Sequence, residues 1–311
     1  MLFSLNKEGG LFSFFTLFLD DLMKPFANSD TQQPSTTPAV NLPYFDFLLT
    51  LLKDGNDAVT KSFGKHVHWG YWENPSTATL STEDFELATE NLSQQVCLAG
   101  HITHGLHVLD VGCGFGGTLA QINEQFIRMD LVGLNLDERQ LERARDTVTA
   151  HPHNTLHFQQ GNACELPFPD NSFDVVLAVE CIFHFPDRTR FFQEAYRVLK
   201  PGGYLALSDF VSSAGLQPFT KITLNPWGFY GRCNLQFCHS DYQQLAQDTD
   251  FSLTLAQNIT KNTLPTYSYL RRLGQHHKIT KKSAVMETLM VEILSRLNLL
   301  HYYIYGFKKS R

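Results

Sequence analysis

The sequence predicts an α/β fold, a Rossmann-like, mostly parallel sheet of seven strands with helices on both faces. Three observations carry this reading. Short, nearly all-apolar runs recur between residues 106 and 210, and segments of helical spacing separate them. One such run, LHVLDVG, passes directly into a glycine loop and then a helix-forming stretch. The 311 residues, 43% hydrophobic, suffice for one large core with an appended element.

The elements follow in order. LFSLNKEGGLFSFFTLFLDDL, residues 2–22, reads as an amphipathic helix. Lys7, Glu8 and two glycines interrupt it, so its unbroken apolar part is about half a membrane span. No small-residue cleavage site follows, and a signal peptide fits poorly. Packing on the main domain, a substrate lid and a membrane contact stay open for it. ANSDTQQPSTTPAVN, residues 27–41, is a polar linker or surface loop. PYFDFLLTLLKDGNDAVTKSF has helical spacing again. Residues 1–61 are therefore expected as a helical extension, and 62–311 as one domain.

Within that domain DFELATENLSQQVCLAG is a helix, LHVLDVG the first strand and GTLAQINEQF a helix. DLVGLNL is the second strand, and DERQLERARDTVTA a helix that Asp137 can cap. TLHFQQGNA and SFDVVLAVE are the third and fourth strands. RTRFFQEAYRVLKPGG is a helix stopped by Pro-Gly-Gly, and YLALSDF the fifth strand. HSDYQQLAQDTD then reads as a helix, with FSLTLAQNIT and HYYIYGFKK as the last two strands. Between the fifth strand and that helix lies a segment rich in Phe, Trp, Tyr and Leu, expected as a cap over about residues 211–239. Lys221 and Arg232 are its cations.

The glycine loop Gly112-Cys113-Gly114-Phe115-Gly116-Gly117 fits G-x-G-x-x-G, which dinucleotides and S-adenosylmethionine both use. Asp110 separates the two. A dinucleotide lays its pyrophosphate across such a loop, and a carboxylate there repels it. S-adenosylmethionine carries no phosphate but an ammonium and a sulfonium, which a carboxylate attracts. The second strand ends on Asn135, which can bond a ribose diol less strongly than an acid, with Gln140 one turn into the next helix.

At these residues the chain resembles the class I S-adenosylmethionine-dependent methyltransferases. The resemblance rests on VLDVGCGFGG, GLNLDERQLERAR, GNACELPFPDNSFDVVLAVE and LKPGGYLALSDF, in that order, and covers about residues 62–311. HVHWGYW, residues 66–72, is similar to a segment of small-molecule methyltransferases acting on tocopherols, sarcosine and sugar hydroxyls. The resemblance implies S-adenosylmethionine as cofactor, held by Tyr71, Asp110, Gly112, Gly114, Asn135, Leu136, Gln140, Asn162, Ala163 and Glu180. Tyr71 would cover the methionine end, unless its ring is ordinary packing. Asn135 and Asn162 stand where the family usually has acids. The oxygen of Asn162 and the backbone of Ala163 would meet the adenine edge.

The run Glu180-x-x-x-His184-x-Pro186-Asp187-Arg188 and the Ser208-Asp209-Phe210 strand end resemble sugar O-methyltransferases of antibiotic pathways. They imply His184 as general base with Asp209 behind it, fixing the imidazole tautomer. The expected reaction is methylation of a hydroxyl on a small, apolar or aromatic secondary metabolite. Methylation at carbon or nitrogen, or a non-catalytic cofactor-binding subunit, are the alternatives.

Other classes are disfavoured. Net charge is −6 and no block of Lys or Arg occurs, so a nucleic-acid partner is not expected. Six cysteines without a C-x-x-C suggest reduced thiols of a cytoplasmic enzyme and no zinc site. Neither a metal nor stable membrane insertion is expected, and a homodimer is left open.

Overall fold

The computed structural model describes residues 42–216, 228–276 and 282–310. The helix expected over residues 2–22, the polar linker and Lys221 lie outside them. The first strand, β1 (His107–Val111), pairs in parallel with β2 (Asp130–Asn135) on one side and β4 (Phe173–Val179) on the other. β3 (Thr155–Gln160) extends the sheet beyond β2, and β5 (Leu199–Ser212) lies parallel to β4. β7 (Leu300–Lys309) inserts antiparallel between β5 and the edge strand β6 (Phe251–Asn258). The order is β3-β2-β1-β4-β5-β7-β6, the seven-stranded, mostly parallel sheet that the sequence predicts.

Both faces are covered, which is why β1 and β4 are apolar almost throughout. On one face Phe191, Phe192 and Ala195 of α6 (Arg188–Val198) and Tyr242 and Leu245 of α7 (His239–Asp248) bury against Leu109, Val176, Leu205 and Leu207. On the other, Leu92 and Val96 of α3 (Thr82–Ala99) and Leu119 and Ile122 of α4 (Gly117–Gln125) bury against Val108, Leu131, Val175 and Ala206. Each fully buried Leu or Phe side chain contributes about 1.5–3 kcal/mol. α5 (Glu138–Thr147) packs against β2 and β3, and Asp137 caps it by accepting from the Arg139 N–H.

Four boundaries differ from expectation. The single helix over 43–63 is two, α1 (Pro43–Lys53) and α2 (Asp57–Phe63), because Gly55 turns the chain at φ 71°. α6 stops at Val198, so Lys-Pro-Gly-Gly belongs to the start of β5. β3 ends at Gln160, leaving Asn162 and Ala163 in the following turn. After β6 come three helices that no sequence signal had marked: α8 (Thr260–Thr263), α9 (Pro265–His276) and α10 (Lys282–Arg296). α9 docks through Tyr269, whose ring stacks 4.2 Å from Phe85 of α3.

Candidate active site

The carboxyl ends of β1, β2 and β4 open into a cavity, the place where open α/β sheets bind ligands. Its floor is the glycine loop. Gly112 has φ 72°, and a side chain there would strike Cys181 at 2.8 Å. Gly114 has φ 55°, and its nearest neighbour in the direction of a Cβ is Gln140 Oε1 at 4.0 Å. The loop at Gly114 therefore leaves open space that a ligand can approach along bare backbone.

Asp110 lines this cavity, 2% exposed, and its Oδ1 has no hydrogen-bond partner. Burial raises its carboxyl to about 8. An unpaired, buried carboxylate oxygen suits a ligand that brings a cation and opposes one that brings phosphate. Asn135 and Gln140 meet at the tip of β2, where Asn135 Nδ2 donates to Gln140 Oε1 at 2.8 Å. Asn135 Oδ1 also accepts from the Leu136 N–H. Asn162, Ala163 and Leu136 line the same cavity. Asn162 Oδ1 already accepts from Cys164 N–H at 2.9 Å, a local turn bond that leaves it one lone pair.

Glu180, directly after β4, also lines the cavity and sits at φ 50°. That conformation is uncommon for a non-glycine residue and costs about 1 kcal/mol or more. It is held by three partners. Its N–H donates to Ser208 Oγ at 3.0 Å, and its Oε2 accepts from Trp69 N–H at 2.9 Å and from Tyr302 O–H. Burial outweighs these bonds and raises the carboxyl to about 8.

His184 ends a short 3₁₀ turn, Ile182–His184. Its Nδ1 lies 3.1 Å from the Arg232 carbonyl, which can only accept, so Nδ1 carries the proton. Nε2 is then the basic nitrogen, 3.4 Å from the Tyr44 hydroxyl. Burial pushes the imidazole down to about 4, partly offset by the Arg232 carbonyl. At neutral pH the ring is uncharged, with a lone pair on Nε2.

Two expectations need correction. Asp209 does not stand behind His184. Side chains alternate along β5, and Asp209 points into the α6–α7 layer with Leu205, Leu207 and Val211. There it pairs with Arg188 at 2.8 Å, both side chains wholly buried, and accepts from Tyr242 O–H at 2.5 Å. Tyr71 is not among the cavity's lining residues. The cavity takes in Lys65 to His68, whereas the Tyr71 N–H donates to the Ala88 carbonyl of α3 at 2.7 Å. Its ring packs instead against the α3–α4 side of the core.

Among the aromatic residues at the cavity is Tyr44 of α1, whose ring stacks on His184 with centroids 6.0 Å apart. Its N–H donates to Phe229 O at 3.0 Å, joining α1 to the segment that precedes α7. Nothing local in PYFDF distinguishes Tyr44 from a core aromatic, and it was missed for that reason. Arg188 carried one signal: it follows Asp187, which caps α6 by accepting from Arg190 N–H. His66 and His68 also line the cavity, with His68 Nε2 3.1 Å from His66 Nδ1 and burial lowering His68 to about 3. Among the described residues no cluster of His, Cys, Asp and Glu could hold a metal ion, and no helix is long and apolar enough to cross a membrane. The six cysteines are all free.

Comparison with known proteins agrees with this geometry. A family model described as a methyltransferase domain matches residues 109–207, from β1 into β5. Methyltransferase GfsG of Streptomyces halstedii is 32% identical over 217 residues, covering 68% of this chain and 74% of GfsG. The 27-O-demethylrifamycin SV methyltransferase of Amycolatopsis mediterranei is 39% identical over 168 residues, covering 52% of this chain and 58% of the relative. The cyclopropane synthase MmaA2 of Mycobacterium tuberculosis shares the fold, with a TM-score of 0.66 at 17% identity over 82% of this chain and 95% of its own. The glycine loop, the buried Asp110 beside it and these relatives lead to one conclusion: the chain belongs to the class I methyltransferases and uses S-adenosylmethionine as its methyl donor.

Proposed function

We propose that the chain methylates a hydroxyl of a small, apolar or aromatic secondary metabolite, with His184 as general base. One observation supports this reading: a neutral imidazole whose Nδ1–H is held by a carbonyl lines the cavity that also holds Asp110, with its Nε2 3.4 Å from the Tyr44 hydroxyl. A hydroxyl must lose its proton as it attacks, and a positioned base contributes about 10²–10⁴-fold to such a step.

S-adenosylmethionine, when bound, supplies a methyl group already activated by its sulfonium. The chain's own residues would do the rest. Asp110 would hold the ammonium of the methionine end, against the backbone of Gly112 and Gly114. Asn135 and Gln140 would meet the ribose, with Leu136 beside them, and Asn162 and Ala163 the adenine edge. Glu180, its acid group buried at the tip of β4, would face the methionine end. Tyr44, Phe45, Phe115 and Phe185 line the cavity with aromatic surface, which keeps water from the reacting atoms. Lys65 is the one Lys or Arg among the described lining residues, and it is bound to Glu90 at 2.8 Å. Among the described lining residues a phosphorylated acceptor would therefore meet no free counter-charge. The relative from Amycolatopsis mediterranei, a 27-O-demethylrifamycin SV methyltransferase, is in line with this reading.

The test is a screen of phenolic and macrolide alcohols with labelled methyl donor, repeated with His184→Ala. The expected loss of turnover is about 10²-fold or more, with affinity for S-adenosylhomocysteine unchanged. Full turnover at unchanged cofactor affinity would remove His184 from the mechanism.

A further inference from the structure

The pair Asp209–Arg188 is built in a way that stability alone does not explain. Both side chains are fully buried, yet Asp209 Oδ1 and Arg188 Nε lack hydrogen-bond partners. A buried ion pair with open valences is often no more stabilising than apolar side chains of the same volume. What the pair does provide is a fixed direction for the remaining guanidinium edge. Nη1 is held by Asp209 and by the Tyr242 hydroxyl at 3.1 Å. The Phe237 ring lies 4.3 Å from the guanidinium carbon. Nη2 is thereby aimed at the Asn234 carbonyl, to which it donates at 2.6 Å.

Asn234 belongs to the returning end of the cap. Its N–H donates to the Phe183 carbonyl at 2.7 Å, one residue before His184. Two residues upstream, the Arg232 carbonyl holds His184 Nδ1. Asn234 is thus gripped from both sides, by the start of α6 and by the 3₁₀ turn that carries the imidazole.

We propose that Asp209 and Arg188 are positioning residues for His184. They fix the backbone of residues 232–234, so that the Arg232 carbonyl keeps His184 in its Nδ1–H tautomer with Nε2 facing the cavity. Asp209 thus serves the histidine without touching it. The inference rests on the reading of His184 as base.

The experiment replaces the device by apolar groups and follows two readouts. In Arg188→Met/Asp209→Leu/Tyr242→Phe no buried charge is left unpaired, so folding should persist. Arg188→Lys serves as a second variant that keeps a cation but loses the fork that reaches two partners at once. Nitrogen-15 NMR of labelled histidine, with the His184 signals assigned by their loss in His184→Gln, reports the tautomer. Wild type should show Nδ1–H, and the triple variant a mixture of tautomers. Turnover should fall roughly 10- to 100-fold, a part of what a general base contributes. Arg188→Lys should fall between the two, and KM for S-adenosylmethionine should stay unchanged in both.

A variant that folds, keeps the Nδ1–H tautomer and keeps turnover would overturn the proposal. A shifted tautomer with full turnover would leave the positioning intact and refute His184 as base. If the triple variant does not fold, Arg188→Lys decides on the same two readouts.

Discussion

The proposed pairing of Asp110 with the cofactor's ammonium makes binding depend on pH in a calculable way. Burial keeps its carboxyl protonated up to about 8 in the ligand-free protein. An ammonium requires the carboxylate, so binding must release a proton wherever the free site holds one. Linkage then places the affinity for S-adenosylhomocysteine at pH 6 roughly 50-fold below its value at pH 8. About 0.9 proton leaves per ligand bound at pH 7 by the same relation. S-adenosylhomocysteine lacks the sulfonium but keeps the ammonium, so it isolates this interaction. Glu180 shares the cavity and is also raised to about 8, and Asp110→Asn separates the two. The assay is calorimetric titration at pH 6, 7 and 8, each in two buffers of different ionisation enthalpy, which counts the protons. Wild type should bind more tightly as pH rises, while Asp110→Asn binds weakly with a flatter profile. Equal affinity at pH 6 and pH 8, or wild-type affinity in Asp110→Asn at pH 8, would refute the pairing of Asp110 with the ammonium.

The same carboxyl affects folding with the opposite sense. A raised acid is protonated in the folded chain while the unfolded chain has already ionised near pH 4, so stability falls as pH rises from about 4 to about 8. Asp110→Asn should therefore melt higher than wild type at pH 8 without ligand, and converge with it near pH 4, as thermal scans can check. Gly114→Ala places a side chain at φ 55° and into open cavity. The strain of about 1–2 kcal/mol and the lost approach should weaken S-adenosylhomocysteine at least about 10-fold, measured by the same titration. Phe85→Ala removes a wholly buried ring stacked on Tyr269 and should cost about 3–5 kcal/mol in urea unfolding, loosening α9 from α3.

The parallel half of the sheet was legible because burial on both faces leaves nearly unbroken apolar runs such as DVVLAV, each followed by a helix with an evident cap or stop. That Asp110 and the glycines share one cavity was legible because they are close in sequence, at the end of one strand and the loop that follows it. The partner of His184 was not. Strand order makes the tips of β4 and β5 neighbours, but the choice of face at Asp209 depends on the register of alternation, and Arg188 competed for its carboxylate. Tyr44 was hidden because its role comes from a contact 140 residues away. α10 escaped because apolar side chains occur on both its sides. Val285, Met286, Leu289 and Ile293 face outward, while Met290, Val291 and Leu294 pack on the core. A helix without a polar face gives no clear period.

The insertion of β7 between β5 and β6 bears on how the chain reaches its active form. β6 is made first, yet it pairs with the sheet only through a strand that follows it by some forty residues. Tyr302, which holds the strained Glu180 in place, sits on that late strand. During synthesis the glycine loop and β1–β4 can assemble early from near-neighbour contacts. The floor of the cavity then precedes its completed tip, and a nascent chain lacking residues 300–309 exposes the flank of β5 as an unpaired edge. Competence for catalysis should be the last property to appear on refolding, after most of the helical signal has returned.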